Sequence, residues 1–121
     1  MVDFSQQSPS RILRSLATSL AEAGLREDEA TLFVWEGVIP YICLEAAARA
    51  LRFMRRGGGS RSRVVFDMSD GLFDPSTPEQ FVGEAGFPRL TAVGFDELWR
   101  RYLPGEPHPN AAMVRLGTAS T

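Results

Sequence analysis

The stretch Thr31 to Glu45, TLFVWEGVIPYICLE, constrains this chain more than any other. Thr31 to Trp35 is β-branched, aromatic and apolar without alternation, the pattern of a strand covered on both faces. It ends abruptly at Glu36-Gly37, and Pro40 stops any continuation. A helical pattern then begins near Leu44, with Ala47, Ala48 and Leu51 at helical spacing. A buried strand that runs into a helix is the unit of an α/β layered fold. An acid at the carboxyl end of such a strand sits where open α/β sheets bind ligands.

The rest of the chain repeats the alternation. Met1 to Phe4 is short and apolar around Asp3, compatible with the end of a strand. Ser8-Pro9 reads as an N-cap followed by proline in the first turn. Ile12, Leu13, Leu16 and Leu20 share one helical face, and Gly24 suits the residue after a helix end. The helix after Leu44 runs to the triple glycine Gly57 to Gly59, with Arg49, Arg52, Arg55 and Arg56 largely off its apolar face. Arg63 to Met68, RVVFDM, is the next strand candidate. Ser69 to Ser76 reads as a polar loop. Thr77-Pro78-Glu79-Gln80 is a capping-box signature opening a short helix that ends at Gly86. Leu90 to Val93 reads as a short strand. Asp96 is the expected cap of a helix bearing Leu98, Trp99 and Tyr102. Ala111 to Leu116 reads as the last strand, and Gly117 to Thr121 as a frayed tail.

Composition narrows the functional classes. A length of 121 residues allows one domain with a modest core. The net charge of −2 invites neither nucleic acid nor an anionic membrane. All 13 basic residues are arginine. The arginines from Arg49 to Arg63 lack the interleaved aromatics of a nucleic-acid surface and read as a solvated face and loop. One cysteine, Cys43, excludes an internal disulfide and a multi-cysteine metal site. No basic partner near Cys43 would activate it. His108 lies among prolines and reads as a surface histidine. No apolar run approaches the roughly 20 residues of a membrane span, and the N-terminus lacks a signal pattern. A cytoplasmic protein is the expectation, with no nucleic-acid or membrane partner and no metal.

Several segments taken together resemble a known family. They are Val2-Asp3-Phe4, a helix, Ala23-Gly24-Leu25, TLFVWEGVIPYI, a helix, and Gly59-Ser60 leading into RVVFDM. Pro78-Glu79-Gln80-Phe81, Ala85-Gly86-Phe87 and Asp96-Glu97-Leu98 continue the pattern. In these the chain resembles the leucine carboxyl methyltransferase-like family of S-adenosylmethionine-dependent methyltransferases, roughly from Val2 to Leu116. The most specific part is Glu36-Gly37-Val38 with Tyr41.

That resemblance implies a partial Rossmann-like class I methyltransferase fold. It has a mostly parallel sheet, an antiparallel last strand and helices on both faces. The implied activity is O-methyl transfer from S-adenosylmethionine to a small-molecule or carboxyl acceptor. Asp3, with Phe4 beside it, would meet the adenine end of the cofactor. Glu36 would meet its ammonium, with Gly37 allowing close approach and Trp35 and Tyr41 as walls. Asp67 and Asp70, ending the RVVFDM strand, would contact substrate. The glycine-rich loop and the ribose-holding acid of the family belong to its first two strands, and neither lies in these residues. Gly57 to Gly59 follows a helix rather than a strand and cannot serve as that loop. The expectation is therefore a truncated domain, residues 1–121, from the third strand to the C-terminus, with impaired cofactor binding. Without those strands one edge of Thr31 to Trp35 is exposed and can pair with a second copy. The alternative function is then a non-catalytic interaction or structural module. Two departures from the family stand out. Cys43 replaces the usual Thr or Ser cap, and the segment between Met68 and Pro78, which helps cover substrate in relatives, is short.

Overall fold

A computed structural model describes residues 9–121. The N-cap expected at Ser8, the strand end at Met1 to Phe4, and the site residues Asp3 and Phe4 lie outside the described residues. The elements are α1 (Pro9–Glu22), β1 (Leu32–Trp35), α2 (Leu44–Gly57), β2 (Arg63–Ser69), α3 (Pro78–Glu84), β3 (Arg89–Gly94), α4 (Phe95–Tyr102) and β4 (Val114–Ser120). Short 3₁₀ turns at Ile39–Tyr41 and Ala111–Met113 complete the order. Among the described residues no helix is long and apolar enough to cross a membrane.

The strands form one sheet in the order β1-β2-β4-β3. β1 runs parallel to β2, and β4 is antiparallel to both β2 and β3. β1, β2 and β3 therefore share one direction and the last strand alone opposes them, as expected for an α/β sheet with an antiparallel final strand. Among the described residues β1 is an edge strand, paired on one side only.

Burial alternates along β2, with Val64, Phe66 and Met68 covered. α2 and α3 cover this face through Ala47, Leu51 and Val82. Phe33 and Trp35 of β1 pack on the same cluster. The other side of β1 carries Leu32 and Val34, which are 61% and 68% exposed. The unbroken apolar run of Thr31 to Trp35 is thus buried on one face only. Two bonds join the starts of β1 and β2. The Thr31 amide donates to Oγ of the buried Ser62 at 2.8 Å, and the Arg63 amide to the Thr31 carbonyl at 3.0 Å.

Three further readings are corrected. Gly117 to Thr121 is not a frayed tail. Residues 117 to 120 belong to a central strand, and Ala111 to Met113 is a 3₁₀ turn rather than strand. The strand was hidden by its small residues, which its neighbours require. A Cβ on Gly117 would lie 3.1 Å from the Phe66 ring and 3.3 Å from Leu90 and Met68 side chains. Next, Ser69 to Ser76 is not purely polar surface. Phe73 is 1% exposed, edge-on to Phe66 and stacked on Phe81 with ring centres 4.6 Å apart. Finally, Asp96 lies inside α4, whose N-cap is Gly94 with no side-chain cap bond. Asp96 instead pairs with Arg100 at 3.3 Å, one helical turn on.

The helix starts give a direct stability test. Thr77 accepts from the Gln80 amide and Gln80 returns the bond to the Thr77 amide, so the capping box is complete. Cys43 caps α2 without any side-chain bond. Thr77→Ala is expected to lower stability by about 0.5–2 kcal/mol, and Cys43→Ser to raise it by several tenths up to about 1 kcal/mol. Urea unfolding midpoints at constant slope check both. Equal midpoints for the two variants would refute the capping argument.

Candidate functional site

The parallel register sets Leu32 beside Arg63 and Trp35 beside Phe66, so β1 and β2 finish at the same rim of the sheet. Glu36 follows the last residue of β1 and is exposed. Gly37 comes next with φ of +69°, a conformation that glycine adopts without steric cost. A Cβ placed there would meet nothing within 4 Å, so the position faces open space. Beyond it the 3₁₀ turn Ile39–Tyr41 is anchored by Ile39, which is 1% exposed.

Asp67 ties this turn to β2. Its Oδ1 accepts from the Gly37 amide at 2.7 Å. A carboxylate that accepts from a backbone amide across two strand ends holds the loop in one geometry. The sequence assigned Asp67 to substrate, and the structure places one of its oxygens on the turn that carries Glu36. Asp70 lies further along the rim, 3.6 Å from an Arg115 Nη2 and 84% exposed at its side chain.

The other expected residues are spread around this turn. Trp35 packs its ring on the core cluster, so it supports the rim from below. Tyr41 is 84% exposed, with its amide bonded to the Val38 carbonyl. Cys43 is exposed at the start of α2. Gly57 to Gly59 lies at the far end of α2. A Cβ on Gly59 would stand 2.6 Å from the Glu29 carbonyl oxygen, so this cluster is a packing junction rather than a ligand loop. Arg49 pairs with Glu45 at 2.8 Å, and Arg55 donates to the Gly86 carbonyl at 3.2 Å. Among the described residues no group of three His, Cys, Asp or Glu could hold a metal ion.

A second feature escaped the sequence reading. α4 and the segment after it enclose an open groove of about 550 Å³, with aromatic and aliphatic walls and His108 at its lining. The signal available was the spacing of Phe95, Leu98, Trp99 and Tyr102 on one helical face. That spacing reads equally as a core-facing stripe, and His108 reads as surface.

No protein-family model matches the chain, and no curated protein matches it. Among solved structures it is similar to a TehB-like SAM-dependent methyltransferase from Corynebacterium glutamicum ATCC 13032. The TM-score is 0.46 and the identity 19%, over 78% of this chain and 49% of that one. It is also similar to a structure described as an antibiotic related methyltransferase, with TM-score 0.36 and 12% identity, over 77% of this chain and 49% of that one. The chain spans about half the length of these solved methyltransferases.

Proposed function

We propose that this chain forms the acceptor-side part of an S-adenosylmethionine-dependent O-methyltransferase of the leucine carboxyl methyltransferase-like kind. The observation that carries the reading is the rim where β1 and β2 end. There an exposed acid, an open glycine turn and a carboxylate that fixes the turn lie together. The carboxyl ends of parallel strands are where α/β sheets receive ligands. The resemblance around Glu36-Gly37-Val38 supplies the chemistry.

The residues present fit one end of the cofactor. Glu36 suits the ammonium of its methionine part through a charge-assisted hydrogen bond. Gly37 leaves backbone open to close approach. Asp67 keeps both in place by holding the Gly37 amide. Asp3 and Phe4 would serve the adenine end. When bound, the cofactor supplies an electrophilic methyl group on a sulfonium. The chain's own part is to orient the acceptor, and alignment within about 3 Å of the reacting carbon is much of the catalysis. A carboxylate acceptor, already ionised, then needs no catalytic base.

Calorimetry with S-adenosylmethionine tests this reading. The chain by itself should bind weakly, with Kd above about 10 μM, or roughly −7 kcal/mol. Adding a glycine-rich methyltransferase half should restore binding and methyl transfer. Tight binding by the chain alone would show that ribose and carboxylate find holders within it. No restoration would remove the methyltransferase assignment.

A second reading is favoured by the edge of β1, which has no partner strand among the described residues, with its exposed Leu32 and Val34. An unpaired edge beside apolar surface can add a strand from a second copy, giving a non-catalytic dimer. Solution mass measured over a range of concentrations separates the two. A stable dimer without cofactor affinity, broken by Val34→Lys, supports the module. A monomer at all concentrations supports the enzyme portion.

A further inference from the structure

β4 is a central strand, and one of its faces meets the core. Gly117 and Ala119 are buried on that face, opposite Phe66 and Val64 of β2. Arg115 is the next residue of the same alternation, set between Met68 of β2 and Gly94 of β3. A guanidinium therefore stands where the series calls for an apolar side chain. Gly94 brings no side chain to its flank, and Met68 is buried.

The register puts Arg115 at the carboxyl rim. It lies two residues beyond the level of Trp35, Phe66 and Gly117, which pair across β1, β2 and β4. β4 is two strands from β1, about 10 Å at the usual strand spacing. A group held by Arg115 is thus separate from one that meets Glu36. The other arginines of the described strands, Arg63 and Arg89, both pair with Ser120 at the opposite end of the sheet.

This guanidinium is held in place without being satisfied. Its Nε is buried and has no hydrogen-bond partner among the described residues. The side chain as a whole is 36% exposed, and Nη2 stands 3.6 Å from Oδ1 of the exposed Asp70. That separation is beyond hydrogen-bond length, and ion pairs so exposed contribute little. Among the described residues Asp70 is the only side-chain partner of Arg115. Covering part of a charge while its donors stay unmade is costly. Packing fixes the stem and Nε, so the outer Nη groups stand at the rim as a pre-set fork.

The partner such a fork fits is a planar oxyanion. A carboxylate accepts two parallel N–H bonds from a guanidinium. Asp70 shows the class of group that approaches here, and its loose contact leaves it displaceable. Charge narrows the class further. Glu36, Asp67 and Asp70 share the rim with Arg115. One guanidinium balances a monoanion there, whereas a dianion such as phosphate meets net repulsion.

We infer that Arg115 anchors the carboxylate of a small monoanionic ligand at the carboxyl rim, in place of Asp70. A role for that ligand in methyl transfer rests on the methyltransferase reading; the binding itself does not.

The test uses the whole isotope-labelled chain without cofactor, titrated with butyrate, butyramide and inorganic phosphate at fixed ionic strength and about pH 7. Binding is read from the Arg115 Nε–H resonance, whose covered proton exchanges slowly with water. Butyrate is expected to shift it and saturate with Kd below about 20 mM, at least about tenfold tighter than butyramide. Phosphate should bind more weakly than butyrate. Asp70→Asn removes the competing carboxylate and should tighten butyrate by about two- to fivefold. Arg115→Lys keeps the charge but not the fork, and should weaken butyrate by about threefold or more, read at the Asp70 amide. Asp70 is exposed, so its variant carries the test where Arg115→Lys does not fold. An Arg115 resonance that stays in place up to about 100 mM butyrate, or equal affinity for butyrate and butyramide, overturns the site. Butyrate affinity unchanged or weakened by Asp70→Asn overturns the displacement. Tighter binding of phosphate overturns the monocarboxylate class. None of these readouts involves S-adenosylmethionine, so failure here is distinct from failure of the cofactor titration.

Discussion

Gly59→Ala should destabilise the chain by about 2–4 kcal/mol, a large share of the roughly 5–15 kcal/mol that holds a domain together. Two costs combine. Gly59 has φ of +77°, and holding an L-residue there costs about 1–2 kcal/mol. A Cβ at this position would also stand 2.6 Å from the Glu29 carbonyl oxygen and 2.9 Å from its carbon. The neighbour is backbone, so relief requires moving the Arg26 to Glu29 turn, and such overpacking costs about 1–3 kcal/mol. Gly83→Ala is the matched contrast. Gly83 lies within α3, and a Cβ there would meet nothing within 4 Å. Alanine at that position should stabilise by about 0.5–1 kcal/mol through helix propensity. Urea unfolding of the two variants should therefore move in opposite directions. A loss below about 1 kcal/mol for Gly59→Ala would mean that the turn before β1 does not pack on the end of α2.

The same junction shows what a sequence can reveal. Three consecutive glycines after an apolar helix read correctly as a helix end, because a phosphate loop must follow a strand. Their packing against Glu29 was not legible, since it depends on a turn 30 residues away in the chain. The long elements were legible for a plain reason. α2 and β2 each carry bulky apolar residues at the period of their own backbone. β4 carries Gly117 and Ala119 where Phe66, Met68 and Leu90 fill the available volume. A propensity argument seeks bulk in a central strand, so it passes over one made of small residues. Phe73 was missed because its neighbours Asp70, Gly71, Asp74 and Pro75 are turn formers. The loop dips inward at that ring, with Leu72 partly buried against the same cluster.

The geometry of the candidate rim was legible in part. Ending a strand at Glu36 and another near Asp67 placed two acids at one rim, and the parallel register of β1 and β2 brings them together. The bond from the Gly37 amide to Asp67 could not be read beforehand. It depends on the sign of φ at Gly37 and on the relative height of two strand ends, neither of which is local to a motif. The groove at α4 was hidden by the ambiguity of an amphipathic stripe. Periodicity says that a face is apolar, and only the packing says what covers it.

With a glycine-rich half supplied, Glu36→Gln is expected to weaken S-adenosylmethionine binding by about 10- to 100-fold. The carboxylate is exposed at the end of β1, free to meet a ligand and held beside the turn that Asp67 fixes. Once a cofactor covers the rim, Glu36 would pair with its ammonium in a partly dry site. A hydrogen bond to a charged group contributes about 1.5–3 kcal/mol there, and 1.4 kcal/mol corresponds to a factor of ten. Glutamine keeps the shape and one acceptor oxygen but removes the charge. Glu79→Gln is the control. Glu79 lies in the first turn of α3, where its charge favours the helix terminus. Its substitution should cost a few tenths of a kcal/mol in stability and leave cofactor affinity within about twofold. Asp67→Asn adds a third arm, because it weakens the bond to the Gly37 amide without touching Glu36. It should reduce affinity less than Glu36→Gln and in the same direction. Calorimetry on the three variants decides the matter. Equal and small effects from Glu36→Gln and Glu79→Gln would take Glu36 out of the site, and the rim would then be only the place where two strands end.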